Sequence, residues 1–138
     1  MKLFDIINAD RRALILFPRF GIELGFGDKS VSDICREKDI DLQFFLLMVN
    51  TFLNRRFFPD KKLRNIDVDM LLGYLVESHK YYLEEKIPYL QSLISIFKET
   101  VDHPAVIQLE KFFDQYIVEV KEHLAYEDET AFPYMAKI

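Results

Sequence analysis

HPAVIQLEKFFDQYIVEVKEHLAYEDETAFPYM, residues 103–135, is the stretch that decides the fold. Its apolar positions Val106, Leu109, Phe113, Tyr116 and Val120 follow in steps of three or four, the repeat of one helix face, and His123, Glu127 and Tyr134 continue that face. Pro104 suits a first helical turn, where its missing N–H has no partner to lose, and Asp102 or His103 stands where a cap belongs. The spacing predicts one helix from about Pro104 to Met135. The segment before it keeps the same period through Leu72, Val76, His79, Leu83, Ile87, Leu90, Ile94 and Phe97, and predicts a helix from about Asp67 to Thr100. At 1.5 Å per residue each is about 45 to 50 Å long. Only a few residues join them, so they must run antiparallel. Pro88 and Pro133 should bend or fray their helices locally.

Upstream, the pattern is of shorter pieces. Leu3 to Phe20 reads as short helical segments with Asn8 or Asp10 as an N-cap and Gly21 as a stop. Ser30 then caps SVSDICREK, and Asp41 caps DLQFFLLMVNTFLN. From Asn54 to Asp67 the charged, proline-containing NRRFFPDKKLRNID has no sustained period and reads as a linker. The expectation is an all-α chain with a small helical, helix-turn-helix-like domain over 1–58 and a long helix pair over 67–138.

Composition narrows the function. The chain has 138 residues, half of them hydrophobic, which is enough to build a core. No apolar run approaches the roughly 18 residues of a membrane span, and the N-terminus MKLFDIINADRR meets charges too early for a signal peptide, so the expected location is cytoplasmic. Cys35 is the single cysteine, which excludes an internal disulfide and a multi-cysteine metal site within one chain. It is expected to be a small buried hydrophobe and not a redox thiol. Residues 1–60 carry nine Lys/Arg against nine Asp/Glu and residues 61–138 nine against fourteen, so the net charge of −5 resides in the second half. That argues against a nucleic-acid surface there and leaves the first half open.

Three seam positions hold residue types that ligate iron: His79 on the first long helix, His123 and Glu127 on the second. Burying an unpaired carboxylate costs several kcal/mol, and a cation would supply the missing charge. Imidazole and carboxylate at i and i+4 can hold one ion or bridge two, as in di-iron sites built inside helix bundles. Blander readings stay open on the residues alone. His79 could be a hydrogen-bonded core histidine, and Glu127 could face water beside Asp128 and Glu129 in a solvated acidic turn. His103 reads as a capping or surface residue, and Tyr116 or Tyr134 as core tyrosines able to hydrogen-bond a ligand residue.

VESHKYYLEEKIPYL around His79, followed by residues 103–135 with their His-x-x-x-Glu, resembles the first helix pair of hemerythrin-like (HHE cation-binding) domains over residues 67–135. RRALILFPRFGIELGFGDKSVSDICREKDID similarly resembles the small domain preceding hemerythrin in iron-sulfur cluster repair di-iron proteins. The resemblance implies a non-haem di-iron cofactor with His79, His123 and the bridging Glu127 as ligands, and a role in oxygen or nitric oxide sensing or cluster repair under stress. Two departures stand out. The small domain of that family carries adjacent cysteines where this chain has Gly25 and Phe26, and its hemerythrin domain has two such helix pairs where this chain has one. The chain is therefore expected to be a fragment of a longer protein or to have its site finished by another chain.

One pair supplies two histidines and one glutamate, too few for two irons, so a homodimer sharing the site is expected, with the seam as its association surface. Binding or repair is expected more than turnover. The alternative is a regulatory module whose Ser30–Asn54 unit contacts DNA or a partner through Arg36, Lys38, Arg55 and Arg56, with a metal-free dimerisation bundle behind it.

Overall fold

Side-chain caps set the starts of two helices in the first half. The computed structural model describes residues 1–59 and 66–138. Among these residues all regular elements are helical, and no strand forms beyond an isolated antiparallel bridge between Lys2 and Ser30. Ser30 accepts the Asp33 N–H at 3.1 Å to start α3, Val31–Glu37, and Asp41 accepts the Phe44 N–H at 2.7 Å to start α4, Leu42–Leu53. Ahead of them lie α1, Leu3–Ala9, α2, Ala13–Leu16, and a 3-10 turn, Phe17–Phe20. Neither expected N-cap takes that position: Asn8 lies inside α1 and Asp10 closes it, while Arg12 stands at the start of α2. Asp10 accepts the Arg12 N–H at 2.9 Å and holds the Arg12 guanidinium, which also donates to the Leu53 carbonyl at the end of α4. The side-chain hydrogen bond from Arg12 keeps the Asp10 carboxyl below its ordinary range. Gly21 stops the 3-10 turn with a φ of 65°, a left-handed conformation that a side chain would resist.

The chain divides into two compact units, Met1–Tyr74 and Leu75–Ile138. The expected linker over 54–67 includes residues 60–65, which lie outside the described residues. The division falls within α5, Val68–Tyr81, because its first turns belong to an aromatic core. Phe20 lies 5.0 Å from Phe45 and 5.2 Å from Tyr74, ring centre to ring centre, and Phe17 lies 6.2 Å from Phe45. Leu3, Leu16, Phe17 and Phe45 are buried around these contacts, each contributing about 1.5–3 kcal/mol by leaving water. Phe26 closes on Phe17 edge-on at 6.1 Å between neighbours Gly25 and Gly27, whose φ angles are 100° and 57°.

In the second unit the helix begun as α5 continues through a π-turn, Tyr82–Lys86, into α6, Ile87–Thr100. After Val101–His103 the chain returns through α7, Pro104–Tyr126, a second π-turn, Glu127–Ala131, and α8, Phe132–Met135. His103 caps α7 by accepting the Ala105 N–H at Nδ1, 3.1 Å away. Lys98 and Glu110 pair at 2.7 Å across the helices, which run antiparallel as expected. Ile87, Val106, Ile117 and Phe132 are buried. Prolines account for both π-turns. Pro88 and Pro133 each follow a residue whose N–H reaches five residues back, Ile87 to Tyr82 and Phe132 to Glu127. Where a proline ring would clash with the carbonyl four residues earlier, the wider turn makes room.

No helix among the described residues is long and apolar enough to cross a membrane. Cys35 is 2 % exposed, and burial followed by the nearby Asp41 charge pushes its thiol above the ordinary range. At neutral pH its modification by a thiol reagent is expected to run at least about tenfold slower in native protein than in urea-unfolded protein. Equal rates would show that α3 does not bury it.

Candidate metal centre on the helix pair

Each long helix carries a histidine a few residues ahead of its proline-driven π-turn: His79 before Tyr82–Lys86, and His123 before Glu127–Ala131. Because the helices are antiparallel, His79 comes opposite the second π-turn. Its side chain is 12 % exposed, and its ring stacks on Phe132 with 5.5 Å between centres and 24° between planes.

Both ring nitrogens of His79 face carboxylates. Nδ1 is hydrogen-bonded to Asp128 Oδ1 at 2.7 Å, and Nε2 lies 3.3 Å from Glu127 Oε2. The other oxygen of Glu127, Oε1, lies 3.1 Å from His123 Nε2, so one carboxylate stands between two imidazoles from different helices. All three residues singled out from the sequence are brought together.

Asp128 is the residue that sequence reasoning missed. Its side chain is 30 % exposed and bonded to His79, so the solvated acidic turn is corrected to one in which at least two members face inward. A regular helix turns consecutive residues well away from one another. The π-turn beginning at Glu127 lets Glu127 and Asp128 reach the same ring. The only sequence signal was the acidic run EDE shortly before Pro133.

The seam is also corrected at its edges. Leu109 is 42 % exposed and Tyr134 68 %, and the His123 side chain is 67 % exposed, while Ile117 and Phe132 are buried in their place. The apolar band is wider than one partner helix can cover, so its flank faces outward. Tyr116, also on that band, meets the Tyr82 hydroxyl at 3.2 Å. This bond, and then burial, push the Tyr82 phenol above its ordinary range.

Among the described residues no group of three or more His, Cys, Asp or Glu side chains is arranged to hold a metal ion as it stands. The donor chemistry fits a cation nevertheless. Two donors each about 2.1 Å from one ion, at right angles, are separated by about 3.0 Å. The nitrogen–oxygen separations of 3.1 and 3.3 Å are within a few tenths of that spacing. Nitrogen and carboxylate oxygen donors without thiolates suit non-haem iron.

The chain is 24% identical over 128 residues to the iron-sulfur cluster repair protein ScdA of Staphylococcus haemolyticus (strain JCSC1435), a match covering 89% of this chain and 56% of that protein. The chain thus spans little more than half the length of the curated relative it matches. No protein-family model matches, and no solved structure does.

The Tyr82 phenol gives a pH test. Its raised folded value means that stability is fully present below the ordinary tyrosine range near pH 10 and is lost as pH rises through the folded value. Tyr82→Phe is expected to lower stability at neutral pH by about 0.5–1.5 kcal/mol and to flatten the alkaline decline in a urea-midpoint series. An unchanged alkaline slope would remove the Tyr82–Tyr116 bond from the account.

Proposed function

We propose that this chain is a non-haem iron-binding protein with an iron-sulfur cluster repair role, and that His79, His123 and Glu127 are its iron ligands. The observation that carries the reading is the approach of His79 and His123, from two helices, to the two oxygens of Glu127. The similarity to a protein named for cluster repair supplies the repair role. The same three residues would hold a pair of irons, with Glu127 between the two histidines. Iron held there would supply a redox-active centre able to take a diatomic ligand such as oxygen or nitric oxide.

The chain's own residues do the rest of the work. Phe132 covers one face of the His79 ring and keeps water from it. His79 and Glu127 are held by the facing helices, so their donor atoms are preorganised. His123, mostly exposed, leaves one side of the centre open.

That open side motivates the proposed partner. Two chains would give four histidines and two bridging glutamates, and the outward flank that includes Leu109 and His123 would be covered by its counterpart about a two-fold axis.

Two measurements test this. His123→Ala or Glu127→Ala is expected to abolish stoichiometric iron, measured by elemental analysis, with helix content preserved in circular dichroism. Full iron in both variants would sink the assignment. Sedimentation of the iron-loaded chain is expected to give a dimer, and a monomer retaining two irons per chain would refute the shared centre.

A further inference from the structure

Asp128 has no part in the ligand set above, yet it makes the shortest contact of the cluster, 2.7 Å to His79 Nδ1. A carboxylate oxygen accepts and cannot donate, so the bond requires the hydrogen on Nδ1. In a neutral ring that leaves the lone pair on Nε2, which lies 3.3 Å from another carboxylate oxygen, Oε2 of Glu127. Two electron-rich atoms at that distance repel unless a proton on Nε2 or a metal cation lies between them, and either one occupies the same nitrogen.

From this geometry we infer that Asp128 is a positioning residue: it fixes the tautomer and orientation of His79 so that Nε2 is the cation-binding nitrogen. The inference rests on the metal reading for its consequence and deepens it by naming what aims the ligand. Three features hold the ring in place. Asp128 holds Nδ1, Phe132 stacks on one face, and the Glu127–Ala131 π-turn sets Asp128 beside Glu127. Partners of this kind raise ligand basicity and fix ring orientation, and losing one costs about 10- to 100-fold in metal affinity.

The test uses the full 138-residue chain with cobalt(II) as probe, its affinity measured by chelator competition. Asp128→Ala is expected to weaken binding by about 10- to 100-fold. Asp128→Asn, which keeps an acceptor oxygen without the charge, should lose less. Glu129→Gln removes a neighbouring exposed charge and should change affinity by less than about twofold, which separates positioning from net charge. The second readout needs no metal. Long-range proton–nitrogen NMR of the apo protein, recorded where the ring is neutral, should show His79 protonated at Nδ1 in the wild type and shifted toward Nε2 in Asp128→Ala. Should wild-type protein bind no cobalt, the metal reading falls, and the tautomer experiment still decides the role of Asp128. Wild-type affinity in Asp128→Ala, or an unchanged tautomer, would overturn the inference; Asp128→Asn supplies the same comparison if the alanine variant does not fold.

Discussion

A neutral imidazole has one N–H to give, and His79 stands between two carboxylates. That mismatch is the constraint on which the second unit turns. Asp128 can take the N–H, but Glu127 is then left facing a lone pair, and a second proton on the ring or a metal ion relieves the conflict. Phe132 stacks on the ring. The π-turn presents both carboxylates at once, and Pro133 follows just behind it. Backbone and side-chain chemistry thus converge on one ring.

The parts legible in the sequence were those governed by local chemistry. Ser30, Asp41, His103 and Gly21 act within a few residues of themselves, so the caps and stops they predict are the ones observed. The three- and four-residue steps gave the two long helices for the same reason. What was not legible depended on the other helix. Periodicity finds an apolar band but not which edge of it meets a partner, so Leu109 and Tyr134 were placed inside and lie outside. The prolines announced irregularity without announcing its form, and the π-turn that swings Asp128 inward could not be read from residue order. Tyr74 belongs with Phe20 and Phe44 because of ring contacts 54 and 30 residues apart along the chain, which no linker composition would reveal.

The first unit is built on aromatic packing and hydrogen-bonded caps, and its one thiol is sealed. Where the resembled repair proteins carry paired cysteines, Phe26 is used to close on Phe17, with Gly25 giving the loop its left-handed φ. A loop committed to packing has no nucleophile to offer. The proposed iron ligands accordingly all belong to the helix pair.

The two imidazoles flanking Glu127 differ greatly in access, with 12 % of the His79 side chain exposed against 67 % of His123. On the proposed iron-binding reading, such an unequal pair would impose an order on capture and loss. His123 would be the first arm that solvent brings to an ion, and His79 Nε2, on the ring that Phe132 covers, would be the second. Departure would reverse the order, so the lifetime of a bound state would be governed by His79 and the speed of loading by His123. Division of labour between a door and a latch is thereby written into the solvent exposure of two chemically identical side chains.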